Sequence, residues 1–156
     1  MSLAKEFAAR YAGLRQAYGT FTANNETRED GKASGKNITI SKELSDTDLL
    51  KLWEDHLSGH QSVGIVAIDE HNKCVWGAID VDEYQLDLKD LAIKIAKQKL
   101  PLVLCRSKSG GAHIYLFLTE PVAASMLQRK LRQIAAAIGY GQVEIFPKQT
   151  KLLLDR

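Results

Sequence analysis

Residues 73–82, Lys-Cys-Val-Trp-Gly-Ala-Ile-Asp-Val-Asp, read as a buried strand that ends in two acids. Side chains alternate along a strand, so Asp80 and Asp82 share one face, while Ile79 and Val81 share the other. Two carboxylates about 7 Å apart at a strand end suit one or two hard divalent cations. An Asp-x-Asp also begins ordinary turns, so the chemistry depends on what else reaches the same place. The turn Arg106-Ser107-Lys108-Ser109-Gly110-Gly111-Ala112-His113 offers hydroxyls, glycine-exposed backbone N–H groups and two cations, a set suited to a polyanion such as a triphosphate. His113 is a further donor for a phosphate oxygen. Glu144 is an acid between the apolar Val143 and Ile145. Metal ions bridging carboxylates and a triphosphate are the working parts of two-metal nucleotidyl transfer.

Those residues need a scaffold that brings them together. Residues 63–68 are strongly apolar and β-branched, a turn follows at 69–72, and 73–82 returns, which predicts a hairpin. Asp87 caps a helix whose inner face is Leu88, Leu91, Ala92 and Ile95, stopped before Pro101. Residues 102–106 predict a buried strand and 112–118 another. Pro121 is placed in the first turn of a helix carrying Leu127, Leu131, Ile134 and Ile138, with Gly139 as its stop. Residues 142–146 form the last strand. From Lys73 onward the order is β-α-β-β-α-β, the ferredoxin-like or RRM-like arrangement. Its usual strand order is 4-1-3-2, with the first strand antiparallel to both neighbours. That order sets Asp80 and Asp82, His113 and Glu144 at one edge of the sheet.

The first 60 residues predict a small α/β lobe ahead of a palm at 61–156. Leu3, Phe7, Tyr11 and Leu14 recur at helical spacing, so residues 2–17 predict an amphipathic helix. Short strands are expected at 19–22 and 38–40. The polar stretch 24–37 reads as an exposed loop or loose hairpin, in which Arg28, Lys32 and Lys36 either meet a phosphate backbone or are simply solvated. Ser45-x-x-Asp48 resembles a capping box and opens a helix with Leu49, Leu50, Trp53 and Leu57. His56 and His60 have a possible metal spacing, but a structural role at the helix end is expected.

The 156 residues are 45% hydrophobic, enough for one globular core, and the net charge of +2 names no partner. No apolar run of about 18 residues occurs, and the N-terminus lacks a signal-peptide pattern, so a cytoplasmic protein without a membrane partner is expected. Cys74 and Cys105 lie in apolar runs and read as reduced core residues.

Three segments, taken in order, resemble the three motifs of archaeo-eukaryotic primases: Ala78-Ile79-Asp80-Val81-Asp82; Ser107-Lys108-Ser109-Gly110-Gly111-Ala112-His113; and Val143-Glu144-Ile145-Phe146-Pro147-Lys148-Gln149. The likeness is above all to the primase domain of TOTE conflict systems and to plasmid or phage primase-polymerases. His56-Leu57-Ser58-Gly59 and Val63-Gly64-Ile65 resemble that branch too, so the similarity spans roughly 56–149. It implies a two-lobed fold and a nucleotidyltransferase that makes primers on a single-stranded DNA template from NTP or dNTP. It implies Mg2+ or Mn2+, two ions, on Asp80, Asp82 and Glu144. It implies nucleotide phosphates on Ser107, Lys108, Ser109 and His113, with Gly110 shaping that loop. Arg106, Lys148 and Gln149 are added as phosphate, nucleotide or template contacts, and Tyr84 as a sensor of the sugar; Lys148 equally reads as a solvated lysine. A helicase or other replication proteins are further expected partners. Glu144-Ile145 stands where relatives often carry Asp-Arg, and the cysteine-rich segment of many TOTE primase domains is missing, so no structural zinc is expected. Residues 61–156 are expected to be the first part of a longer primase domain. The alternative is a non-catalytic module that binds single strands by stacking bases on Trp76, Tyr115 and Phe117.

Overall fold

The computed structural model describes residues 1–31 and 33–153; Lys32, one of the three cations noted above, and 154–156 lie outside the described residues. The elements run α1 (Leu3–Arg10), β1 (Ala17–Thr27), β2 (Ala33–Ser41), α2 (Asp46–Leu57), β3 (Lys73–Val81), α3 (Leu88–Lys97), β4 (Leu102–Arg106), β5 (Ala112–Ala123), α4 (Ala124–Ala137) and β6 (Glu144–Phe146). β1 and β2 make a two-stranded antiparallel sheet, and the other four strands make a sheet ordered β4-β5-β3-β6. Counted from Lys73, that is the expected 4-1-3-2, and β3 is antiparallel to both β5 and β6. The molecule is α+β with a palm-like sheet.

The two faces of β3 are covered differently. Alternation puts Gly77, Ile79 and Val81 on the face against α4, where Leu127 and Leu131 crowd Gly77. Ile79, Val81, Ile114, Leu131 and Leu91 are all at or below 1% exposure, so this layer is the dry core that sets the register. On the opposite face the Tyr11 ring meets Trp76, Tyr115 and Phe117 edge-on at 5.2, 5.4 and 5.2 Å. Trp53 of α2 stacks behind Tyr11 at 5.5 Å. The N-terminal helices are therefore tied to the sheet by an aromatic cluster.

Local signals behave as their chemistry requires. Ser45 and Asp48 form a reciprocal capping box on α2, and the Asp87 carboxylate accepts the Lys89 and Asp90 N–H groups at the start of α3. Gly59 follows α2 with φ +81°, a left-handed stop.

Four expectations are corrected and one is sharpened. α1 ends at Arg10 rather than near residue 17, because Gly13 brings the backbone against Val66 and the Leu14 N–H bonds Val66 O at 2.9 Å. Residues 63–68 are not a strand: Ala67 and Ile68 are buried, but the segment's bonds go to the N-terminal region, through reciprocal 2.7 Å bonds between Gly64 and Gly19. Of the two readings of the polar stretch the hairpin holds, and it is more regular than expected, since β1 and β2 pair from Ala17↔Ser41 to Thr27↔Ala33. Pro121 lies in β5, where the register against β3 shifts between Cys74 and Trp76; a bulge tolerates its missing N–H. β4 is an edge strand with Val103 43% exposed, not a buried one. Cys74 is buried and Cys105 half-buried, both as free thiols. Among the described residues no helix is long and apolar enough to cross a membrane.

Candidate active site

Asp80 sits in the middle of a row. Across the sheet it pairs with His113 on β5 and with Glu144 on β6. Residues opposite each other in a ladder share a face, so the carboxylates and the imidazole emerge side by side. His113 Nε2 stands 3.4 Å from Asp80 Oδ1. Glu144 Oε1 is 2.5 Å from Lys148 Nζ, and that ammonium also lies over the Phe146 ring at 5.1 Å. Asp82 follows β3 directly, and its Oδ1 accepts from Ser109 Oγ at 3.4 Å, with Ser107 Oγ a further 3.3 Å from Ser109 Oγ.

Burial raises the Asp80 carboxyl above its ordinary range; His113 opposes this, and the nearby Glu144 and Asp82 charges reinforce it. His113 is held from behind, for the Tyr115 hydroxyl is 3.3 Å from Nδ1, and the Tyr115 ring packs against Tyr11 at 5.4 Å. An imidazole protonated on Nε2 satisfies both sides: Tyr115 donates to Nδ1, and Nε2–H points at Asp80.

The loop between β4 and β5 is pressed against the end of β3. A Cβ on Gly111 would lie 2.1 Å from Val81 O, so only glycine allows this approach, and Gly110 turns the chain at φ +90°. The Ser107 N–H closes the turn on Gly111 O at 3.0 Å. A cavity of about 900 Å3 lies beside it, bordered by Ser107, Lys108, Ser109 and His113 on one side and by Phe21 and Arg28 of the β1–β2 hairpin on the other. Tyr84, 64% exposed, borders the same space. A second cavity of about 710 Å3 is bordered by Phe21, Phe146, Lys148 and Gln149.

The row and the loop thus come together as the strand order suggests; Lys148 pairs with Glu144, and Tyr84 borders the cavity beside the loop. Arg106 does not join them: it pairs with Ala112, whose face is opposite to that of His113, and it is outside the cavity lining. Arg28 borders the cavity, with its Nε 3.9 Å from Asp30 Oδ1. His56 and His60 close the end of α2, on Gln61 O and Ser58 Oγ. Phe21 lies in the short strand expected at 19–22, where its sequence context, Gly19-Thr20-Phe21-Thr22, carries no functional signal. Trp76, Tyr115 and Phe117 pack against Tyr11; Trp76 is buried, and the other two are half-buried.

Asp80, Asp82 and Glu144 are hard oxygen donors, a set that fits Mg2+ or Mn2+ rather than a thiophilic metal. As the side chains stand, Glu144 is turned to Lys148 and Asp80 to His113. Accordingly, no group of three His, Cys, Asp or Glu among the described residues is gathered as a metal site.

No curated protein matches the chain. A family model described as the archaeo-eukaryotic primase domain of the TOTE conflict system matches residues 5–153. The chain belongs to that family.

Proposed function

We propose that this archaeo-eukaryotic primase domain is a nucleotidyltransferase that makes primers for replication on single-stranded DNA in the cytoplasm, alongside a helicase or other replication proteins. The observation that carries this reading is the in-register row Glu144–Asp80–His113, with Asp82 and the Ser107–Gly111 loop at the same sheet edge. Asp80, Asp82 and Glu144 would hold two Mg2+ or Mn2+ ions. Such ions, when bound, neutralise a triphosphate and activate an attacking 3′-hydroxyl.

The chain's own contribution is positioning. Ser107 and Ser109 hydroxyls and the Lys108 ammonium bind the phosphate oxygens of an NTP or dNTP, and Gly110 turns loop N–H groups toward the same anion. His113 donates from Nε2 to a phosphate oxygen, with Tyr115 keeping the proton on that nitrogen. Lys148 adds a positive charge beside Glu144. The stacking-module alternative is disfavoured, because its three aromatics already pack against Tyr11.

Titration of a labelled nucleoside triphosphate with manganese tests the reading, repeated on the Asp80→Ala/Asp82→Ala double variant and on His113→Ala. Binding that requires metal and is lost in both, followed by extension on a single-stranded template, is expected. Binding indifferent to chelator and to the substitutions overturns it.

A further inference from the structure

Phe21 borders both cavities: the one shared with Ser107, Lys108, Ser109 and His113, and the one that reaches Phe146 and Lys148. Its position is built rather than incidental. The Phe21 N–H donates to Ser62 Oγ at 2.7 Å, and that hydroxyl donates back to Phe21 O at 3.3 Å. The ring lies over Gly35 on the neighbouring strand, where a Cβ would stand 2.6 Å from its Cζ. Glycine at 35 thus leaves the space that the ring fills. The side chain is half-buried, though most of the hairpin around it is exposed.

A half-buried, backbone-clamped aromatic at the wall of a cavity that is also lined by hydroxyls and cations makes a site of two chemistries. The polar groups suit phosphate, and the aromatic suits a flat, apolar-faced ring. We infer that Phe21 is the base platform of the nucleotide site, stacking the purine or pyrimidine of a nucleotide whose phosphates lie on the Ser107–Ser109 side. The inference rests on the function proposed above and adds to it the contact made with the base. Tyr84 borders the same cavity but is 64% exposed in the loop after β3. Phe21 is half-buried and fixed on its strand by the Ser62 bonds, so the platform role goes to Phe21.

The experiment measures binding of ATP and of inorganic tripolyphosphate, a probe without a base, to the full chain with manganese. The parent is compared with Phe21→Leu, Phe21→Tyr and Tyr84→Leu. Stacking by one aromatic makes Phe21→Leu bind ATP at least about fivefold more weakly. Its tripolyphosphate affinity stays at the parent value, and Phe21→Tyr recovers ATP binding. Three results overturn the inference: Phe21→Leu binds ATP like the parent; Phe21→Leu loses both probes equally, which marks a structural role; or Tyr84→Leu alone shows the base-dependent loss. A parent that binds neither probe overturns the proposed function itself, and this inference with it.

Discussion

Gly77→Ala tests whether the core sets the geometry of the acidic row. Gly77 lies in β3 beneath α4, and a Cβ there would stand 2.6 Å from Leu131 Cδ1, 2.8 Å from Phe146 O and 3.0 Å from Leu127 Cδ2. The leucines are 0% and 3% exposed, so they have little room to swing aside, and the oxygen is backbone of β6. Forcing a methyl into so full a site costs about 1–3 kcal/mol. Alanine's stiffer unfolded chain offsets about 0.4–1 kcal/mol of that. At the middle of both ranges the net loss is about 1.3 kcal/mol, or about 3–5 °C in Tm for a chain of this size. β6 is the element pushed outward, and it carries Glu144 opposite Asp80, so manganese affinity is expected to fall with Tm. Gly141→Ala is the control: its Cβ meets Ala136 Cβ at an ordinary 3.7 Å, and parent-like or slightly higher stability is expected. Thermal melts and manganese titrations of both variants decide the matter. A Gly77→Ala protein as stable as the parent, or equal losses in the two variants, would refute the reasoning.

Leu131→Ala empties a fully buried position on α4 and is expected to cost about 2–5 kcal/mol in urea unfolding. A shift below about 1 kcal/mol would show that the core relaxes around the gap. Gly111→Ala collides with Val81 O and lifts the Ser107–Gly111 loop from the acids. Template-directed extension should fall about 100-fold while the far-UV circular dichroism is kept, and parent-like extension would contradict that. Asp80→Asn has a pH signature. Burial raises the folded Asp80 carboxyl above its ordinary 3.8. Its favourable contribution is therefore present when protonated, below the unfolded value, and is lost as pH rises through the folded one. At pH 7, with chelator, Asp80→Asn should melt higher than the parent, and the gain should shrink as the pH falls toward the carboxylate range. A gain independent of pH would assign it to something other than charge.

Part of this molecule was legible because single elements carry redundant signals. Asp87, the Leu91 and Ile95 stripe and Pro101 all describe one helix. The strand order that follows from β-α-β-β-α-β then places His113 and Glu144 beside Asp80 without any side-chain detail. Residues 63–68 were misread because an apolar run reports burial and not the partner of the backbone; its hydrogen bonds go to Leu14 and Gly19, which are distant in sequence. The hairpin was half-seen because most of β1 and β2 faces water on both sides, which removes the alternation that marks a strand. Arg106 stands one residue past Cys105, the partner of His113, and that single step of parity separates the two faces of a sheet.

What the motif could not convey is the environment of Asp80, and this follows from the other occupants of its face. Trp76 and Ala78 precede it on the same side of β3, at 7% and 5% exposure, under the aromatic cluster centred on Tyr11. Asp80 is the next residue along that face, with 26% of its side chain exposed, and Asp82 lies beyond the strand's end in solvent. Within four residues the face passes from dry to half-dry, and the half-dry position is the one where a carboxylate resists ionisation yet remains open to a cation. The N-terminal aromatic cover, with no chemistry of its own, therefore shapes the site: shortening it by Tyr11→Ala should expose Trp76, lower the Asp80 carboxyl toward its ordinary range and reduce the stability gained in Asp80→Asn. An Asp80→Asn gain of the same size in the Tyr11→Ala background would show that Asp80 owes its burial to β5 and β6 instead.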